Sequence, residues 1–313
     1  ISYYEEILSN EDLCKKVIKD ELIEVKEKYG DERRSEIVYS SEEFNPEDFY
    51  ADDQMIITIS HMGYIKRTPL TEFRAQNRGG VGIKGMTTNE EDFVEQLVSM
   101  KTHDYILFFS NKGRVYRMKG YEVPEYSRQS KGLPIINLLE LDKDENVSSI
   151  VSVNSDSDEY KYLLFVTRNG LVKRTELTEF DNIRKSGKIA IVLKDNDELI
   201  SVKLTDGQDN VVLVTRKGLC ITFEEKEVRP IGRIAQGVIG IRLSDDDEVI
   251  GMESIISGSK ATLLAITENG FGKRTELDEY RVQLRGGRGV ITYKVTPKTG
   301  ELVGVKIADE TQD

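Results

Sequence analysis

The amino-acid sequence predicts an all-β array of propeller-like blades behind a short α-helical segment, and three observations predict it. One pattern is written five times, with its last glycine at Gly63, Gly113, Gly170, Gly218 and Gly270. Successive copies lie 50, 57, 48 and 52 residues apart, within the period range of propellers and related arrays. Each copy also holds about four strand-like runs between recurring turn residues, the make-up of a propeller blade.

Residues 1–37 come first and read as helix. Leu13, Val17, Leu22, Val25 and Tyr29 place one apolar stripe along it, Asn10 reads as its N-cap, and Gly30 as its stop. A lone amphipathic helix cannot bury its stripe, so this one needs a partner. Residues 38–53, with Glu42, Glu43, Pro46, Glu47, Asp48, Asp52 and Asp53, show no sustained apolar period and read as an acidic linker.

The β region is expected over residues 54–313. Each unit opens with a hairpin through its Gly turn, as in Leu164-Phe165-Val166-Thr167-Arg168-Asn169-Gly170, where glycine tolerates the positive φ of a tight turn. A basic loop follows and leads to a Gly-containing third strand such as Gly187-Lys188-Ile189-Ala190-Ile191. An acidic turn such as Asp195-Asn196-Asp197-Glu198 precedes a fourth, apolar strand that closes the unit. These turns lack the Asp-x-Asp-x-Asp-Gly logic of a calcium loop and read as solvated.

The net charge of -12 argues against a polyanion partner only until its distribution is read. Residues 1–50 hold 15 acids against 7 bases, so the repeats carry only -4. Tyr64–Lys84 holds five basic residues and one acid, and Lys112–Lys131 holds six and two. Cations therefore cluster after the Gly turns, and contact charge rather than net charge decides polyanion binding. The candidate rim cations are Lys66, Arg67, Arg74, Lys84, Arg114, Arg117, Arg128, Lys131, Lys173, Arg174, Arg184, Lys185, Lys188, Lys273, Arg274, Arg285 and Arg288.

Cys14 and Cys220 lack ligand-spaced Cys or His, which predicts neither a disulfide framework nor a metal site and fits a reducing cytoplasm. No apolar run reaches the roughly 20 residues of a membrane helix, and the N-terminus lacks a signal-peptide pattern. His61 and His103 have no nucleophile or ligand cluster beside them and read as turn or packing residues, Cys220 as core, and Tyr121 and Tyr126 as packing. No catalytic residue is expected in this chain.

Two loops stand out, Gln76-Asn77-Arg78-Gly79-Gly80-Val81-Gly82 in the first unit and Gln283-Leu284-Arg285-Gly286-Gly287-Arg288-Gly289 in the fifth. Dense glycine lets backbone amides approach phosphate, while Arg supplies a forked, permanent charge. The Gln-x-Arg-Gly-Gly-x-Gly pattern resembles the box found in the DNA-wrapping domain at the C-terminal end of bacterial gyrase A. Leu70-Thr71-Glu72-Phe73-Arg74-Ala75, Thr102-His103-Asp104-Tyr105-Ile106-Leu107 and Lys28-Tyr29-Gly30-Asp31-Glu32-Arg33-Arg34 extend the resemblance over the whole chain.

The resemblance implies a β-pinwheel that wraps duplex DNA around a basic rim and gives DNA gyrase its negative-supercoiling direction. It implies an A2B2 complex with the N-terminal domain of gyrase A and with gyrase B, in which the holoenzyme uses ATP and Mg2+ and this chain holds no cofactor. Repeat order gives the box role to residues 76–82, and residues 283–289 share its composition. Where that family carries basic residues at the second and sixth box positions, this sequence has Asn77 and Val81. The family's six repeats against five here fit either a fragment or a five-bladed relative. The C-terminal domain of topoisomerase IV, steering DNA substrate choice, and a protein-binding propeller are the alternatives.

Overall fold

A computed structural model describes residues 1–35, 37, 45–73, 84–154, 159–256 and 258–308. The chain divides into two units, 1–46 and 47–313. In the first, α1 (Ser2–Ser9) precedes α2 (Glu11–Tyr29). Asn10 caps α2 as expected, its Oδ1 accepting from the Asp12 and Leu13 amides at 3.1 and 3.2 Å. Gly30 ends α2 at Tyr29, short of the predicted boundary at residue 37.

In the second unit five antiparallel sheets follow the five repeats. Blade one contains β1 (Gln54–Ser60), β2 (Tyr64–Pro69) and β3 (Val94–Lys101). Blade two contains β4 (Tyr105–Ser110), β5 (Arg114–Lys119) and β7 (Val147–Val153), and blade three β8 (Tyr162–Thr167), β9 (Leu171–Glu176) and β11 (Leu199–Thr205). Blade four contains β12 (Asn210–Thr215), β13 (Leu219–Glu224) and β15 (Val249–Ile255), and blade five β16 (Thr262–Thr267), β17 (Gly272–Glu276) and β19 (Leu302–Ala308). The first strand of each blade is central, and in blades one to four it is buried on both faces. Its sequence is therefore a continuous apolar run, as in Leu163-Leu164-Phe165-Val166, rather than an alternating one.

In repeats two to five the predicted third strand does not stay in its own blade. β6 (Leu133–Pro134) pairs with β2, β10 (Lys188–Ile189) with β5, β14 (Val238–Ile239) with β9, and β18 (Val290–Ile291) with β13. Repeats two to five therefore each lend a two-residue strand to the blade before them, and the fourth strand of sheets one to four belongs to the next repeat. So short a strand has no periodicity of its own that could say which sheet it joins.

The turn glycine fastens the exchange. Ile135, Ala190, Gly240 and Thr292 each donate an amide hydrogen to the carbonyl of the preceding repeat's turn glycine, Gly63, Gly113, Gly170 and Gly218, at 2.8 to 2.9 Å. A second glycine lets the incoming strand lie close. Gly289 has φ +77, and a Cβ there would stand 2.4 Å from the Cys220 carbonyl oxygen.

Hydrophobic clusters fill the spaces between neighbouring blades. Phe109 of blade two, for example, meets Phe165 of blade three edge-on at 5.5 Å, with Phe180 against both. The strands β3, β7, β11, β15 and β19 pack one against the next in chain order. They form the inner edges of the sheets, which puts the exchanged strands at the outer edges.

The acidic turns are not simply solvated. The buried Asp92 accepts from the Met62 and Phe93 amides at 2.9 and 3.0 Å, and Asp197 and Asp247 repeat this at Asn169 and Glu198 and at Lys217 and Glu248. Each carboxylate staples a fourth strand to a hairpin turn. Burial opposes ionisation of Asp92, but the amide donors and Ser60 outweigh it and lower its pKa. Nor is the second half of the predicted linker free-standing. Glu47 pairs with Lys119 at 2.6 Å, and Tyr50 stacks on Tyr121 with centroids 4.6 Å apart.

Candidate nucleic-acid interface

The exchange sets where the cations stand. Every exchanged strand is preceded by a loop of its own repeat, and these loops carry Arg128 and Lys131, Arg184 and Lys185, Arg229 and Arg233, and Arg281, Arg285 and Arg288. Sheet order puts them all at the outer edges of the blades.

Among them Arg184, Lys185 and Arg288 are exposed, and Lys188 on β10 is half-buried. None of these four side chains makes a hydrogen bond or ion pair with a described residue. Others are tethered but solvent-facing. Arg128 donates to the Lys84 carbonyl at 2.6 Å, and Lys131 donates to Asn89 at 2.8 Å over the Tyr64 ring. Arg114 pairs with Asp142 at 3.3 Å, and the Arg117 guanidinium lies 3.5 Å from the Tyr105 ring centroid. The exposed Arg114 pair holds little energy and can yield to phosphate, whereas the Arg67 side chain is only 11% exposed in its 3.5 Å pair with Glu125.

Three predicted rim cations are not on the surface. Lys66 is 0 % exposed, and its ammonium donates to the carbonyls of Ser127, Arg128 and Ser130 at 3.1, 2.5 and 3.0 Å. Lys173 is equally buried and donates to Ala190 and Arg233 at 2.5 and 2.6 Å. Desolvation, with Arg233 adding to it, pushes its pKa down to about 7. Both lysines latch the loop arriving from the next repeat. Arg174, also buried, faces the fully buried Glu225 at 3.4 Å. The Lys-Arg-Thr triplet recurs at residues 273–275 on β17, where no exchanged strand pairs among the described residues. Lys273 and Arg274 are exposed there, with bonds to Thr292 and Thr262 at 3.3 and 2.9 Å.

The fifth Gly-rich loop also departs from expectation. The amides of Gln283, Arg285 and Gly286 bond to Thr222, Glu227 and Gly240 of the preceding repeat at 2.7, 2.9 and 2.6 Å. The Arg285 guanidinium adds bonds to the Glu227 and Ile239 carbonyls at 3.1 Å each. These glycines serve close packing on blade four, which leaves Arg288 as the loop's outward charge. Residues 76–82 and Arg74 lie outside the described residues.

Sequence reasoning missed Arg229, Arg242 and Arg281, all exposed. Aligning the exchanged loops, rather than counting cations after the Gly turns, would have found Arg229 and Arg281. The two histidines have structural partners: His61 stacks on Phe93 at 4.8 Å, and His103 reaches the Tyr50 carbonyl at 2.7 Å. Cys220 lies in the core between blades four and five, where burial pushes its thiol up to about 12. Among the described residues no helix is long and apolar enough to cross a membrane.

Comparison with known proteins places this architecture. A profile described as DNA gyrase C-terminal domain, beta-propeller, matches residues 54–99, 104–154, 161–206, 209–256 and 261–309, one segment per repeat. The gyrase A protein of Staphylococcus epidermidis (strain ATCC 12228 / FDA PCI 1200) is 49% identical over 314 residues, covering 100% of this chain and 35% of that protein. The gyrase A protein of Staphylococcus aureus (strain MRSA252) is 46% identical with the same coverage. The chain spans about a third of the length of the curated relatives it matches. A solved DNA gyrase A C-terminal domain superposes with a TM-score of 0.69 at 29% identity, covering 82% of this chain and 84% of its own. A DNA topoisomerase IV C-terminal domain gives 0.67 at 31%, covering 83% and 79%. The chain belongs to the DNA gyrase C-terminal domain, beta-propeller family.

Proposed function

We propose that this member of the gyrase C-terminal domain family binds duplex DNA without reading its sequence and bends it along the outer edges of its blades. The observation that carries the reading is the row of outward cations on the exchanged segments, with Arg184, Lys185, Lys188 and Arg288 unpaired among the described residues. If four exchanged segments neutralise about two phosphates each, log K falls with log salt at a slope of about -7. Bending 20 to 30 base pairs through 40 to 90° costs about 1 to 6 kcal/mol, which a handful of charge-assisted contacts offsets.

Within the longer protein the wrapped segment is presented to a strand-passage gate with fixed handedness, so that passage introduces negative supercoils. In this reading the chain gives direction, and bond cleavage, ATP and Mg2+ belong to other parts of an A2B2 assembly in the cytoplasm. Identity of 46 to 49% to gyrase A proteins along the whole chain favours gyrase. The match to a topoisomerase IV C-terminal domain supports a second reading, a module that steers DNA substrate choice.

The test replaces Arg78, Gly79 and Gly80 together in the holoenzyme. Supercoiling is expected to be lost while relaxation survives. Equal loss of both activities overturns the assignment, wrapping that survives without residues 76–82 favours the topoisomerase IV reading, and DNA affinity that is absent or insensitive to salt favours a protein-binding propeller.

A further inference from the structure

The connection between β11 and β12, Asp206-Gly207-Gln208-Asp209, faces the turn Glu225–Glu227 that follows β13. One carboxylate oxygen from each of Asp206, Asp209 and Glu225 lies within 4.8 Å of the other two. Each carboxylate already has one oxygen committed to the protein. Asp206 Oδ1 accepts from the Gln208 amide at 2.8 Å, Asp209 Oδ2 accepts from Ser254 Oγ, and Glu225 Oε1 accepts from Thr205 Oγ1 at 2.5 Å and from Arg174 at 3.4 Å. Glu225 is 0 % exposed, yet its Oε2 is buried without any hydrogen-bond partner. A buried carboxylate oxygen left bare is costly unless something fills its coordination.

The repeat architecture gives no reason for an acid there. The other four repeats open the same turn with Leu70, Gly120, Leu177 and Leu277. Repeat four alone puts a carboxylate in that place, and it does so opposite two aspartates. Arg174 neutralises one of three negative charges, which leaves a deficit that a divalent cation balances.

We propose that Asp206, Asp209 and Glu225 form a Ca2+ site at the junction of blades three and four. An all-oxygen donor set selects a hard cation over zinc or copper. All three oxygens lie within 4.8 Å of one another, so one ion can reach every carboxylate; Ca2+ accepts such sets in flexible geometry, whereas Mg2+ demands a near-ideal octahedron and is usually held by one or two carboxylates. The bound ion would tie the connection leaving blade three to the turn that leaves β13, beside Arg174 of the preceding repeat.

The test titrates Ca2+ into the chelator-stripped 313-residue chain by calorimetry and repeats the titration with Mg2+. Tb3+ luminescence provides a local readout, since the chain has no Trp and the Tyr162 ring lies against Gly207. The expected result is one Ca2+ per chain, a Ca2+-dependent rise in melting temperature, tyrosine-sensitised Tb3+ emission that Ca2+ displaces, and at least tenfold weaker Mg2+ binding. Glu225→Gln keeps the shape of the site, and Asp206→Asn lies on the partly exposed turn. Each is expected to weaken Ca2+ at least tenfold, and a folding failure of the first leaves the second to decide. No Ca2+ binding by the parent chain, unchanged affinity in Asp206→Asn, or equal affinity for Mg2+ overturns the assignment.

Discussion

Replacing Lys66 with methionine separates a latch from a phosphate contact. Met preserves most of the stem but leaves the carbonyls of Ser127, Arg128 and Ser130 without their shared ammonium donor. Hydrogen bonds to a charged group contribute about 1.5–3 kcal/mol each. Relief of the buried ammonium's desolvation, several kcal/mol, offsets part of that loss. The net cost is about 2–4 kcal/mol, concentrated where β6 sits on blade one. The readout is hydrogen exchange at the Ile135 amide, which donates to the Gly63 carbonyl at 2.8 Å. At about 1.4 kcal/mol per decade its protection falls roughly thirty- to a thousandfold, while the salt slope of DNA binding stays that of the parent chain. Unchanged Ile135 protection together with a slope about 0.9 shallower would refute the latch and return Lys66 to the DNA interface.

Lys173 makes stability depend on pH in a defined direction. Its folded pKa of about 7 lies below the ordinary lysine value of 10.5, so between those limits the unfolded chain binds more protons and stability rises with pH. The stability of the parent chain relative to Lys173→Met, from denaturant titrations, is flat below pH 7 and climbs above it by at most about 1.4 kcal/mol per pH unit. A difference that falls with pH contradicts the burial argument. Gly218→Ala is expected to melt far earlier than Gly270→Ala. Both turns have positive φ, but a Cβ at Gly218 would stand 2.1 Å from the Tyr293 carbonyl oxygen and one at Gly270 meets nothing within 4 Å. Gly270→Ala then costs only the left-handed strain of about 1–2 kcal/mol, and equal melting temperatures would remove the exchanged strand from the Gly218 turn. Replacing Arg184, Lys185 and Lys188 together with Gln leaves stability nearly unchanged and makes the salt slope of DNA binding shallower by up to about 2.7. An unaltered slope places the DNA elsewhere.

The sequence was readable where one residue type has one physical use. The five turn glycines, the apolar central strands and the Asn10 cap all stand where their chemistry required. The strand exchange was hidden because Leu133–Pro134 and Lys188–Ile189 are too short to show a period, and pairing with the preceding rather than the same sheet is a tertiary choice. That choice also misled the site reading. Lys66 and Lys173 look like surface cations in a polar triplet, and only the arrival of the next repeat's loop buries them. The loop at residues 283–289 reads as an anion cradle by composition. Its amides instead serve Thr222, Glu227 and Gly240, and Arg288 stays outward. The buried acids of the turns were hidden for the same reason, since their partners are amides some thirty residues earlier.

The central claim is that the outer edges of the blades bend DNA, and the linking number of a nicked circle resealed in the presence of this chain tests it most directly. The account predicts a topoisomer distribution shifted in one direction at saturating protein, with the shift shrinking in the Arg184, Lys185 and Lys188 replacement and at high salt. A distribution identical to that of the protein-free circle, under conditions where the chain is bound, would contradict it.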